Sequence, residues 1–204
     1  MSNGKLIVMA LAWLGTAGPS IAADFSDPTW PCIQRKVEDL SLGLMWPHQI
    51  SESESTQNSA DIDEIVGLLA LRRIELEDLK PQVAEFAARY NGDPDVLGLV
   101  FQRVFETLSK RRKRIITGIG EFSLNQIDIA EKIDLARVEM EQALSADPPD
   151  YDRVDALEEQ LDWDQLIYTD RQRSITYLCE TPQIIERRLF AISQMLQQLT
   201  SDQG

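Results

Sequence analysis

The sequence predicts an all-α protein, and three observations lead to this. Beyond residue 60, apolar residues recur at alternating steps of three and four, and no stretch alternates with the period of two that is typical of strands. Caps and prolines divide this region into a few long segments. The two longest segments are joined by the four residues Asp147–Asp150, and so short a link requires antiparallel packing. We expect an elongated antiparallel helical bundle or coiled-coil hairpin, preceded by an irregular N-terminal arm that a disulfide holds in place.

Residues 1–23 have the pattern of a signal peptide. Lys5 precedes a nine-residue apolar run, and small residues follow, with cleavage expected after Ala22 or Ala23. Nine residues are too few to span a bilayer core about 30 Å thick. We therefore expect an exported protein that is soluble after cleavage, without a membrane span.

Residues 24–60 form an irregular arm followed by a Ser/Glu-rich linker. Prolines and a glycine interrupt the arm, and the linker runs from Ser51 to Ser59. The arm nevertheless contains large apolar side chains, including Trp30, Met45 and Trp46. Two interpretations are open: the arm packs on the helical body, or part of it forms a partner-binding patch.

The chain has two cysteines, Cys32 and Cys179. Export to an oxidising compartment favours a disulfide between them. Two free thiols or an intermolecular bond are the alternatives. Without a C-x-x-C motif, a redox-active pair is not expected.

The helical domain, residues 61–204, begins with an apolar stripe from Ile62 to Tyr90 in which Arg72 is the one charged member. Ser59 or Asp61 would cap its start, and Asn91–Gly92 would end it. Pro81 predicts a kink or break near Leu79–Lys80.

A second helix is expected from the cap-and-proline pair Asp93–Pro94 to about Ala146. Gly118 and Gly120 mark the expected position of a bend, and a straight rod is the alternative. A third helix follows the turn, and Thr181–Pro182 predicts the start of a last, separate helix.

Composition excludes several classes of function. With 20 Lys and Arg against 34 Asp and Glu, the formal charge is −14, which argues against nucleic-acid binding. One histidine, His48, and two cysteines are too few for the common zinc sites. The acidic stretch after Asp147 lacks the glycine of an EF-hand loop. We expect no metal, no cofactor and no enzymatic activity.

Five consecutive basic residues stand out in this acidic chain. This basic cluster consists of Lys110, Arg111, Arg112, Lys113 and Arg114. One interpretation pairs it with acids of the antiparallel helix, namely Asp155, Glu158, Glu159, Asp162 and Asp164. The other makes it a docking site for an acidic partner or an anionic polymer.

The stretch Glu64–Tyr90 resembles the first helix of the helical chorismate mutases. That resemblance implies an exported helical enzyme in which Arg73, Lys80 and Arg89 contact a dicarboxylate substrate. The downstream arginine and glutamate pattern of that family's active site has no counterpart here.

The chain also resembles small exported helical proteins of Gram-negative bacteria that have no assigned function. The resemblance lies in Trp30–Cys32, in Leu178–Pro182 and in Arg187–Phe190. It implies a periplasmic location and a Cys32–Cys179 disulfide, and it implies no activity.

The sequence thus predicts a periplasmic, non-enzymatic interaction or adaptor protein that acts on a protein partner of the cell envelope. The candidate partner-binding residues are the basic cluster together with Trp30, Met45 and Trp46. A chaperone for exported clients is a further alternative to the enzyme. The same apolar stripes suit an internal core or a homodimer interface.

Overall fold

A computed structural model describes residues 26–50 and 59–201, and these residues contain helices and no strand. The predicted signal peptide and residues 51–58 of the predicted linker lie outside the described residues. The all-α prediction is confirmed. The helices are α1 (Leu42–Met45), α2 (Ser59–Leu69), α3 (Leu76–Arg89), α4 (Pro94–Ser145) and α5 (Tyr151–Gln197).

Helices α4 and α5 form a long antiparallel hairpin, as the short proline-containing turn predicted. Asp93 caps α4 by accepting a hydrogen bond from the Asp95 amide at 2.9 Å, with Pro94 at the first helical position. Asp150 caps α5 by accepting one from the Arg153 amide at 3.0 Å. Both caps satisfy amides that a helix start leaves without an intrahelical partner.

Helix α5 continues through Thr181–Pro182, so the prediction of a separate last helix is wrong. Proline removes one backbone hydrogen bond from a helix, but packing can offset that loss. Here Thr181 and Pro182 are both buried, and the Thr181 hydroxyl donates to the carbonyl of Tyr177 at 3.0 Å. Burial of the pair within the fold keeps the helix intact where the local sequence favours a break.

The predicted first helix is broken at residues 70–75 rather than near Pro81, which lies inside α3. Arg72, predicted to face the core, is exposed in that break. The Arg188 guanidinium of α5 spans the break, donating to the carbonyls of Leu69 and Ile74, each at 2.9 Å. A distant arginine thus supplies the donors that a broken helix end requires.

The expected stop after Tyr90 is confirmed. Asn91 and Gly92 both have positive φ, and the Gly92 amide donates to the Ala87 carbonyl at 2.8 Å, the pattern of a Schellman cap. Gly92 is also covered by the end of the chain. A Cβ there would lie 2.6 Å from the carbonyl oxygen of Leu199, so only glycine fits.

The buried apolar side chains fall into three clusters along the hairpin. The largest, here called the body, joins α2, α3, the start of α4 and the end of α5 around residues such as Phe101, Leu108 and Leu189. A small cluster beside it contains Trp30 and the disulfide. The third joins only α4 and α5, through Ile133, Ala136, Leu157 and Leu161. Residues 121–177, here called the tip, therefore extend beyond the body as two helices.

The disulfide between Cys32 and Cys179 is present, with 5.5 Å between the two Cα atoms. It attaches the segment around Trp30 to α5, next to Ile116 and Ile119 of α4. Gly120 makes room for this segment, since a Cβ there would lie 3.3 Å from the Cβ of Thr29. Helix α4 is continuous across Gly118 and Gly120, and the second glycine allows this close packing.

Candidate functional site

The basic cluster is divided between structural contacts and solvent. Arg112 is only 4% exposed; its Nη1 donates to the Glu38 carbonyl at 3.2 Å, and its Nη2 lies 3.6 Å from the Glu186 carboxylate. Burial lowers the pKa of Arg112, and the negative charge of Glu186 opposes that shift. Arg112 thus attaches the arm to the hairpin from the inside.

Two further members of the cluster also hold neighbouring segments. Arg111 donates to the Ala70 carbonyl at 3.3 Å, just after the end of α2. Lys113 forms an ion pair with Asp39 at 2.9 Å, and this hydrogen bond raises the pKa of Lys113. Lys110 and Arg114 are exposed, and they lie four residues apart on one face of α4.

The acids expected to neutralise this cluster are not its partners, which corrects that interpretation. The observed partners are Asp39 of the arm and Glu186 of α5. The reason is the register of the hairpin. Arg112 lies about as far before the turn as Glu186 lies after it, whereas the acids from Asp155 to Asp164 follow the turn closely and face the second half of α4.

Trp30 and Trp46 are buried in the protein itself, with 6% and 2% of their surface exposed. The Trp30 indole donates to the Gln34 carbonyl at 2.6 Å, beside the disulfide. Trp46 stacks on Phe101 of α4, with 5.4 Å between ring centroids. His48 is exposed, and its ring meets the edge of Trp46 at 5.7 Å.

Met45 lies at the edge of a groove of about 550 Å³ on the outer side of α5, lined by Met45, Gln183, Glu186, Arg187 and Phe190. Phe190 is 52% exposed, and Leu44 of α1 is 88% exposed. The Ser193 hydroxyl and the Gln197 amide both donate to the Met45 carbonyl, which fixes α1 on α5. Glu186 connects this groove to Arg112 of the basic cluster.

The residues compared with the chorismate mutases do not line a common cavity. Arg89 borders a cavity of about 240 Å³ but is paired with Asp61 at 2.9 Å. Glu64 and Glu85 also line that cavity, and their carboxylates would repel a dicarboxylate. Arg73 and Lys80 are exposed and absent from its lining.

The tip has apolar surfaces that the sequence patterns did not predict. On the tip, both helices expose large apolar side chains on the faces opposite their shared contact. Those of α4 are Leu124, Ile127, Leu135 and Val138, and those of α5 are Trp163, Leu166, Ile167 and Tyr177. The available signal was a second apolar stripe, about half a turn away from the inward stripe.

Comparison with known proteins gives no family for this chain. No family model matches it, and no curated protein or solved structure shows significant similarity. Among the described residues, no helix combines the length and the apolar character that a membrane crossing demands. In the same part of the chain, His, Cys, Asp and Glu side chains nowhere gather in threes suited to a metal ion.

Proposed function

We propose that this chain is a non-enzymatic interaction protein of the bacterial periplasm, an adaptor that binds a protein of the cell envelope. The export pattern of residues 1–23 and the disulfide support the compartment, because structural disulfides persist in oxidising environments. The adaptor role is supported by the surfaces of the α4–α5 hairpin.

One observation carries the proposal: apolar side chains remain exposed along the hairpin although the body has a complete core. Phe190, Leu135 and Trp163 are each more than half exposed, on a chain with strong net negative charge. Large apolar side chains on a helix that no other element covers are typical of surfaces that bind a partner.

Within the basic cluster, the residues proposed for docking are those that make no contact with α2 or the arm. Arg111, Arg112 and Lys113 contact α2 and the arm, so replacing them would disturb the fold as well as any interface. Lys110 and Arg114 are the members available to an acidic partner. Met45 remains a candidate through its groove, with Phe190 as the exposed apolar anchor.

Site-specific photocrosslinking in the cells that produce the protein tests this proposal. A photoreactive amino acid at Phe190 or Trp163 should give one discrete adduct, identified by mass spectrometry. The matched control carries the same group at Ala84, an exposed position on α3, and should give none.

The adduct pattern separates the alternatives. A discrete adduct that Lys110→Glu with Arg114→Glu removes would locate the basic cluster at the interface. A ladder of unrelated adducts would replace the adaptor by a chaperone that binds unfolded clients. No adduct from either position, with the protein folded and exported, would contradict the proposal.

A further inference from the structure

The outer face of α5 on the tip has the features of a binding surface. Trp163, Leu166 and Ile167 are 61%, 53% and 41% exposed. Their spacing of three and four residues places them side by side on one face, opposite Leu157 and Leu161, which pack on α4. Tyr177 is 65% exposed and lies fourteen residues after Trp163, so it is on the same face, separated from the stripe by the ion pair of Asp170 and Arg173.

The surroundings of this stripe are strongly acidic. Residues 121–177 contain 15 acidic and 5 basic side chains, which accounts for ten of the chain's fourteen excess negative charges. Within the described chain, Asp155, Glu158, Glu159 and Asp162 take part in none of the ion pairs. An exposed tryptophan is therefore bordered by carboxylates that form no ion pair with a basic side chain of the described residues.

We propose that this face of α5, from Glu159 to Tyr177, binds a basic amphipathic helix of a partner protein. The inference rests on the proposed function and specifies the chemistry of the partner. Trp163, Leu166 and Ile167 would contact the apolar stripe of that helix, and Glu159 and Asp162 would pair with its lysines or arginines.

The charges and the spacing of this face favour a basic helix over a second copy of the chain or a lipid surface. A second copy of the chain would bring two acidic faces together, and an anionic lipid surface would be repelled in the same way. Contacts spaced by three and four residues along a helix match another helix lying alongside it.

A fluorescently labelled 18-residue peptide of leucine and lysine, patterned as an amphipathic helix, is the probe. The full-length protein should raise its fluorescence anisotropy, and a peptide of the same composition in scrambled order should bind much more weakly. The double variant Trp163→Ala with Leu166→Ala should weaken binding about thirtyfold, as expected for the loss of central apolar anchors.

The opposite face of the tip supplies matched controls. Leu135→Ala with Val138→Ala removes side chains that are 70% and 52% exposed on α4, and it should leave the affinity unchanged. Glu159→Gln with Asp162→Asn should weaken binding and reduce its dependence on salt, whereas Asp128→Asn with Glu131→Gln should do neither. Since all these side chains are exposed, circular dichroism should show the same fold throughout.

Trp163 itself reports occupancy of the site. It is exposed while Trp30 and Trp46 are buried, so peptide binding should shift its emission to the blue, and Trp163→Phe should abolish that shift. Equal weakening by the two apolar double variants, equal binding of the scrambled peptide, or a blue shift on concentrating the protein alone would overturn the inference.

The two proposals fail separately. Crosslinks at Phe190 without peptide binding would leave the adaptor function standing and remove this partner class. Peptide binding that depends on Trp163, without any crosslink in cells, would support the surface and contradict the adaptor role.

Discussion

At the scale of single residues, Arg112 is a charged side chain that is buried although the sequence pattern is typical of a charged surface. It lies within five consecutive basic residues, yet it is buried and donates to the arm while facing Glu186. Its guanidinium lies between Glu38 and Glu186, each of which is 74 residues away from it along the chain. A basic run in a helix divides among several directions, because adjacent side chains are rotated by about 100°.

Arg112→Leu should lower the free energy of unfolding by about 1–3 kcal/mol, because the Glu38 carbonyl loses a buried donor. Denaturation by urea measures the loss. Arg114→Leu is the control; it replaces an exposed member of the same cluster and should change the stability by less than about 0.5 kcal/mol. Equal effects of the two substitutions would show that Arg112 does not hold the arm.

The sequence could not show which member of the cluster is buried, since the counter-charges come from distant segments. It predicted acids on the antiparallel helix, which was correct in kind and wrong in position. The position of the turn sets the register of the two helices, and this register places Glu186 opposite Arg112. The presence of acids on the antiparallel helix does not by itself show which of them pairs with Arg112.

At the scale of elements, the sequence correctly predicted the helix ends that are set by capping residues close by in the chain. Asp93–Pro94, Asn91–Gly92 and the Asp147–Asp150 turn all act as expected, because each cap is completed within a few residues. The errors at residues 70–75 and at Pro182 have the opposite cause. There the outcome depends on Arg188 and on the burial of Thr181, neither of which a local pattern contains.

Two glycines of α4 should respond to alanine with opposite signs. A Cβ at Gly98 would lie 3.1 Å from Ile50 and from the Trp46 indole, so Gly98→Ala should destabilise the protein by roughly 1 kcal/mol despite better helix propensity. Gly118 has no neighbour within 4 Å, and Gly118→Ala should stabilise it by about 1 kcal/mol. Thermal unfolding distinguishes the two, and a shift of the same sign in both would contradict this account of Gly98.

At the scale of the whole molecule, one covalent link joins the arm to a hairpin that otherwise folds on itself. Cys32 and Cys179 are 147 residues apart, so the disulfide restricts most of the unfolded chain. The sequence predicted that Cys32 pairs with Cys179. It did not predict that the disulfide lies in a small apolar cluster that also buries Trp30. The sequence predicted the inward apolar stripe of each helix of the tip. The outward stripes were not predicted, because a single apolar stripe is enough to explain an amphipathic helix.

Replacing both cysteines by serine should lower the free energy of unfolding by about 4–5 kcal/mol, as expected when a loop of this length is opened. Urea denaturation of the wild-type protein, in the presence and absence of a reductant, measures the free energy of unfolding with the disulfide open and closed. The reduced wild-type protein should unfold like the double variant, and Trp30 emission should shift to the red in both. Unchanged midpoints would show that the link adds nothing to the stability of the body.

The bond between Arg188 and the end of α2 has a consequence for the order in which the chain can fold. The guanidinium that completes α2 and the break after it is made 119 residues later, and the chain end that covers Gly92 comes later still. During synthesis, α2 and α3 therefore emerge long before Arg188 and the last residues that bond to their ends. The body is complete only when the last segment returns to it. A chain stopped short of Arg188 would keep the packing of α2 on α4, but the carbonyls of Leu69 and Ile74 would lack the guanidinium that bonds them.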